Sequence, residues 1–230
     1  MLRLNEFIEV IEGVNDPAIF KAVFLAGGPG SGKSFIVGKT ALTAFGMRVV
    51  NSDDAFEAAL KKAGLTTSPE DIFSVKGQEI RKSAVATTGK KLDLLIKGRL
   101  GLVIDGTGKN WEKIKDQKVM LDKLGYDTAM LFVNTTEEEA LNRNRKRERQ
   151  LPDAEVSKMW KDTQKHIGNY QILFGRQNMI IVDNTSSDPK DIARETMRSY
   201  KTFSKWVKQE PYSSKAKDWI KQEREKARRD

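Results

Sequence analysis

Apolar residues gather along this chain in five short runs, separated by longer stretches with helical periodicity. The runs are Lys21 to Ala26, Arg48 to Asn51, Gly101 to Asp105, Thr128 to Val133 and Met179 to Val182. Near-continuous apolar runs bounded by turn formers predict strands buried on both faces. Between them the pattern predicts helices over Lys33 to Phe45, Ala55 to Lys62, an interrupted stretch from Pro69 to Lys97, and Trp111 to Leu124. Another follows from Glu137 through the arginine-rich run, another from Asp153 to Phe174 with a break near Gly168, and a last core helix from Asp188-Pro189. A short helix from Asn5 to Glu12 precedes the first strand. Boundary signals support these spans: Ser68-Pro69 at a helix start, Gly125 at a helix end, and Thr136-x-x-Glu139 as a capping box. Strand and helix alternate five times. That order predicts an α/β fold with a doubly wound, five-stranded parallel sheet and helices on both faces. The strand ends marked by Gly27, Asp53 and Asp105 then lie along one edge, where open α/β sheets bind ligands.

The first run leads into Gly27-Gly28-Pro29-Gly30-Ser31-Gly32-Lys33-Ser34, which fits G-x-x-x-x-G-K-[ST] between a strand and a helix. Glycines let the backbone curl so that its N–H groups, together with the helix N-terminus, hold polyphosphate. Lys33 is expected to reach the β- and γ-phosphates of a nucleoside triphosphate and the Ser34 hydroxyl to bind Mg²⁺. Asp105, closing the third strand, suits a metal-holding carboxylate, or else a turn former before Gly106. Thr107 either touches substrate or completes that turn. Asp53 and Asp54 follow the second strand. An alcohol acceptor needs a carboxylate to orient it and take its proton, and Asp53 fits that role. Asp54 suits it too, or a helix cap.

The run Leu141 to Gln150 holds Arg143, Arg145, Arg147 and Arg149. On one helix Arg143 and Arg147 share a face, and Arg145 and Arg149 share nearly the opposite one. One pair, with Arg143 and Arg147 expected, suits a clamp on the triphosphate and the transferring group, and the other meets a second anion or solvent; the alternative is a solvated basic helix.

Charge adds a partner. The net charge is +9, and residues 201–230 hold ten Lys or Arg against five Asp or Glu. Such a tail attracts polyanions, with nucleic acid, DNA first, as the expected partner. Its aromatic residues, Trp206 and Trp219 among them, either stack on bases or pack an amphipathic helix against the core. This places a kinase domain at 1–200, with a lid at about 141–155, and a basic helical tail at 201–230. No apolar run reaches a membrane span, and Met1 to Asp16 has no signal-peptide core. A cytoplasmic location is expected. There are no cysteines and one His, His166, so disulfides and thiol catalysis are excluded and His166 is expected to be structural.

These residues resemble the polynucleotide-kinase and zeta-toxin group of phosphate-loop kinases over about 22–183. Gly27 to Ser34 looks like the nucleotide loop of both. Asn51-Ser52-Asp53-Asp54 resembles the polynucleotide-kinase motif whose first Asp is the general base. Leu102 to Thr107 is similar to the zeta-toxin strand ending in a carboxylate, Gly and Thr. Leu141 to Arg149 with Pro152 resembles the polynucleotide-kinase lid, which implies that its arginines, Arg145 included, contact ATP phosphates. Where polynucleotide kinase has an Arg three residues after the catalytic Asp, this chain has Phe56. The resemblance implies transfer of the ATP γ-phosphate to a hydroxyl on nucleic acid, either a polynucleotide 5′-hydroxyl or, as in a related phage-type activity, the 5-hydroxymethyl group of a pyrimidine in DNA. The alternatives are a zeta-toxin-type kinase of a uridine-diphosphate sugar and a nucleotide-gated binding module or NTPase.

Overall fold

The computed structural model describes residues 14–40, 42–147 and 150–228. The helix expected over Asn5 to Glu12, and Arg149, lie outside them. Five strands, β1 (Lys21–Ala26), β2 (Arg48–Val50), β3 (Leu102–Asp105), β4 (Asp127–Asn134) and β5 (Met179–Asp183), form one sheet in the order β2-β3-β1-β4-β5. Every pairing is parallel. The chain thus winds outward from β1 in both directions, as the alternation of elements predicts.

Alternation along β1 explains the two layers. Ala22, Phe24 and Ala26 point to one face, and Val23 and Leu25 to the other. The first face is covered by α5 (Trp111–Leu124), α8 (Ile167–Phe174) and α10 (Ser214–Lys226), through Ile114, Leu121, Tyr170, Phe174 and Ala216. The second is covered by α1 (Lys33–Thr40) and α9 (Pro189–Val207), through Ile36, Phe203, Trp206 and Val207. A smaller apolar cluster stands apart. It joins Phe56 and Leu60 of α2 (Ser52–Lys62), Ile72 of α3 (Pro69–Phe73) and Ala84 of α4 (Val75–Lys97). This helical arm is inserted between β2 and β3. Two helices, α6 (Glu137–Arg145) and α7 (Asp153–Gln164), follow β4 and lie over the nucleotide loop.

Several boundaries differ from the sequence reading. The first helix ends at Thr40, and a separate 3-10 turn covers Thr43–Phe45. The second begins at Ser52 because the Asn51 side chain caps it, accepting from Asp53 N. Asp53 therefore sits in the helix's first turn. The break in the Asp153–Phe174 stretch falls at Lys165 and His166, and Gly168 lies inside α8. Helix α9 runs through residue 200 without interruption.

The tail packs at the edge of the sheet opposite the strand C-termini. Lys21 and Asp127 open β1 and β4 there and form a buried ion pair at 2.6 Å. Tyr212 N donates to Asp127, Lys21 Nζ lies 5.1 Å from the Trp206 ring centroid, and Trp219 meets Phe20 edge-on. Both tryptophans are packing residues in the fold. Among the described residues no helix is long and apolar enough to cross a membrane.

Candidate active site

The loop Gly27 to Ser34 leaves the end of β1 beside Asp105, which pairs in register with Leu25. Its path is fixed from outside. Gly27 N donates to Thr107 O at 3.1 Å, and the Asn184 side-chain amide donates to Ser31 O at 2.7 Å. Gly30 and Gly32 take positive φ, 74° and 83°. A β-carbon on Gly30 would collide with the Ala140 carbonyl of α6, and one on Gly32 with Asn184 Nδ2. The loop is therefore curled and tightly backed, which only glycine allows at these two positions.

The inner side is short of partners. The Ser31 hydroxyl oxygen is buried and makes no hydrogen bond among the described residues. Lys33 Nζ donates to Gly27 O at 2.6 Å and weakly to Gly28 O at 3.4 Å. These are neutral carbonyls of its own loop. Burial pushes the Lys33 ammonium below its ordinary pKa; Asp105 and Asp53 pull it back up, and Arg147 adds to the depression. Lys33 thus feels the charges of Asp105, Arg147 and Asp53. A desolvated cation and an orphaned hydroxyl inside a curled backbone suit a polyphosphate.

Asp105 is held above the ordinary carboxylate range, mainly by burial and then by Asp54 and Asp53, while Lys33 opposes the rise. Its Oδ2 accepts from Asn51 Nδ2 at 3.0 Å. The same amide nitrogen lies 3.1 Å from Asp54 Oδ1, and Asn51 Oδ1 caps α2. Asn51 thus ties Asp105 to the Asp53–Asp54 turn, a role the sequence reading missed although the residue opens the motif it quotes. Asp53 lies across from Arg81 of α4, with Oδ1 and Nη1 3.8 Å apart, and Arg81 stacks over the Phe56 ring at 4.2 Å. Thr107 belongs to the turn: its carbonyl accepts from Gly27 N and its hydroxyl from Lys109 N.

The arginine run divides differently from the sequence reading, because α6 ends at Arg145. Arg143 reaches toward the loop at Gly32 and is braced by Glu139 Oε1 at 2.7 Å. Arg147 follows the helix, exposed, on a turn bonded to Asn144 O, and its charge reaches Lys33. Arg145 turns instead to Asp153, with Nη2 at 2.5 Å from Oδ2, so the structure does not bring it to the loop. Asn144 is buried and closes the segment by exchanging two hydrogen bonds with the Leu151 backbone. Two more residues not singled out from the sequence position the loop. Asn184 follows β5, and Trp160 of α7 covers Gly28 while its indole N–H donates to Thr135 O. Only the strand-end position of Asn184 hinted at its role. His166 is half-buried against Trp111 and Tyr170, away from this chemistry.

The AAA domain family matches this chain over residues 23–167. No curated protein matches the sequence. Among solved structures, shikimate kinase from Bacteroides thetaiotaomicron is similar at 15% identity with a TM-score of 0.51, covering 80% of this chain and 98% of that one. A putative kinase from Chloroflexus aurantiacus aligns at 10% identity and TM-score 0.51, over 80% of this chain and 96% of that one. A chain of the Pnkp1/Rnl/Hen1 RNA repair complex aligns at 23% identity and TM-score 0.50, over 65% of this chain and 46% of that one. At these identities the likeness concerns the fold, which is the α/β architecture of phosphate-loop kinases.

Proposed function

The chain belongs to the AAA domain family, and from that premise we propose that it is an ATP-dependent phosphotransferase whose acceptor is an alcohol. The observation that carries this reading is that the Gly27 to Ser34 loop leaves β1 beside Asp105, which Asn51 ties to the Asp53–Asp54 turn. Lys33, released from the Gly27 carbonyl, meets the β- and γ-phosphates. Arg143 and Arg147 gather charge on the transferring group from the lid side. Ser34 and Asp105 are the residues that would hold Mg²⁺. Among the described residues no group of three or more His, Cys, Asp or Glu binds a metal unaided. That fits Mg²⁺, which is commonly held by one or two carboxylates and the substrate's own phosphates. The metal supplies charge neutralisation when bound.

Asp53 accepts the acceptor's hydroxyl proton. The oxygen forms a bond to the γ-phosphorus as the bond to the β-phosphate oxygen breaks, and ADP leaves. The proposed acceptor is a hydroxyl on nucleic acid, DNA first. Support comes from the net charge of +9 and from exposed cations, Lys109 following β3 and Lys146 and Arg147 following α6. One observation favours a second reading, a small-molecule alcohol: the basic tail is folded against the other edge.

The deciding experiment offers γ-labelled ATP to 5′-hydroxyl DNA, 5′-hydroxyl RNA, DNA containing 5-hydroxymethyluracil and a uridine-diphosphate sugar. Label should enter one acceptor class. Asp53→Asn should lower that transfer by about 10²- to 10⁴-fold without weakening ATP binding. Transfer that survives Asp53→Asn unchanged removes Asp53 as the base. ATP binding with no label in any acceptor overturns the phosphotransferase reading for these acceptors and favours hydrolysis or nucleotide gating.

A further inference from the structure

At the sheet edge opposite the nucleotide loop, a groove of about 620 Å³ opens between the segment Val14 to Ile19, the end of α9 with the residues after it, and one face of α10. Lys217, Lys221 and Arg224 follow one another at helical spacing along it, Arg228 extends the row past the helix end, and Lys208 at the end of α9 completes it. At 1.5 Å per residue the gaps along the helix from Lys217 to Lys221 and on to Arg224 are roughly 6 and 4.5 Å. All five cations are exposed, and none has an ion-pair partner among the described residues. The carboxylates in the groove are fewer. Asp16 is compensated by Arg48 and by Ala18 N, which leaves Glu210 and Glu225.

We infer that this groove is a second binding site, one for the phosphodiester backbone of a nucleic acid. It rests on the reading of a nucleic-acid partner given above, but not on the chemistry at Asp53. Solvated like charges at these spacings repel one another, and a chain of phosphates relieves that repulsion while releasing counterions. Lysines dominate the row, and an ammonium serves a phosphate as a point charge without reading bases. The site is rigid. Ala216 is buried in the core, Trp219 packs edge-on against Phe20, and Tyr212 N is bonded to Asp127. This packing also weighs against a membrane surface. An interfacial helix inserts its apolar face, and α10 has turned that face to the core. The groove is separate from the cleft, because the six residues of β1 alone put roughly 20 Å between the two edges.

The test is fluorescence anisotropy with a fluorescein-labelled DNA duplex of roughly 20 base pairs, at about 50 and about 200 mM NaCl. It compares wild type, the groove variant Lys217→Gln/Lys221→Gln/Arg224→Gln, and a charge-matched control, Lys61→Gln/Lys62→Gln/Lys97→Gln, on exposed lysines of the helical arm. The groove variant should bind about tenfold or more weakly at low salt, and its plot of log affinity against log salt should flatten by about two to three. The control should change by less than about twofold. Circular dichroism and the thermal shift given by ATP should match wild type in both, which separates this site from the nucleotide loop. Wild type that ignores DNA overturns the nucleic-acid reading and this site with it. Equal losses in the two variants, or competition by polyglutamate at matched charge as strong as that by DNA, overturn the groove alone.

Discussion

Two lysines stand at opposite ends of β1 and meet opposite fates. Lys21 opens the strand. Its ammonium lies 2.6 Å from Asp127, near the face of Trp206, and Tyr212 N donates to the same carboxylate. A charge taken out of water there has a full countercharge. Lys33 lies beyond the other end, resting on neutral carbonyls, with Asp105 and Asp53 only partly offsetting its burial. Its pKa is pushed down as a result. Lys21 is completed by its own fold, whereas Lys33 is left without a full countercharge. The two edges of the sheet follow the same division, one closed by permanent contacts and the other backed on the outside and open within.

Breaking each lysine should therefore move different measurements. Lys33→Ala should reduce phosphoryl transfer by about 10³-fold or more, with a thermal midpoint no lower than wild type, since a desolvated charge is removed. Lys21→Met leaves Asp127 buried and uncompensated, at a cost of about 3–5 kcal/mol. In a chain of this size that lowers the midpoint by roughly 6–20 °C. The folded fraction should keep its affinity for ATP. The double variant Lys21→Met/Asp127→Leu should regain much of the loss, because replacing both charges removes the desolvation cost. If Lys33→Ala unfolds the protein while Lys21→Met abolishes transfer, the division between the two edges is wrong.

A smaller effect sharpens the same contrast within the open edge. Asn184 is buried and donates to Ser31 O across the back of the loop. Asn184→Ala removes that donor and opens space behind Gly32. The expected cost is about 1–3 kcal/mol, and it should appear largely as weaker ATP binding, since the loop loses the brace that holds its curl. Isothermal titration with ATP checks this. Unchanged affinity alongside a large loss of stability would make Asn184 a plain core residue.

The site was readable where chemistry is local and hidden where it depends on distant chain. β1, β3 and β4 show in the sequence as apolar runs because a central parallel strand buries both faces. The loop shows because phosphate needs glycine curvature in a fixed register. Ser68, Thr136 and Asp188 show because each caps its own helix. Asn184 lies 153 residues from the carbonyl it holds, and Arg81 is brought to Asp53 only by packing within the helical arm. No spacing rule links such pairs. Gly168 misled in the opposite way. A glycine costs a helix only about 1 kcal/mol, and burial of Tyr170 and Phe174 outweighs it, so the break falls two residues earlier. Arg145 lost its place on the site because the lid helix ends there and Asp153 captures it. The tail aromatics alternate with lysines in a pattern that stacking and packing share, and only the fold separated the two.

Asp105 supplies the smallest effect and the strictest check. Burial, with Asp54 and Asp53 nearby, raises its pKa above the ordinary value despite Lys33. Between the ordinary carboxylate pKa, about 4, and that raised value, the folded chain binds more protons at this site than the unfolded chain does. Stability therefore falls as pH rises through the window and stays lower above it. Above that window the ionised Asp105 carboxylate is a destabilising group in the nucleotide-free protein. Asp105→Asn removes the charge and keeps an oxygen to accept from Asn51. Its thermal midpoint at pH 7 should exceed that of wild type by a few degrees at most. The gap should narrow as pH falls through that window and close only below about pH 4, where wild-type Asp105 is neutral in both states. Addition of ATP with Mg²⁺ should reverse the order, because wild type then gains more from the ligand than the variant does. A variant less stable than wild type at neutral pH without nucleotide would make the carboxylate part of the permanent framework, like Asp127, and the open edge would lose its distinguishing feature.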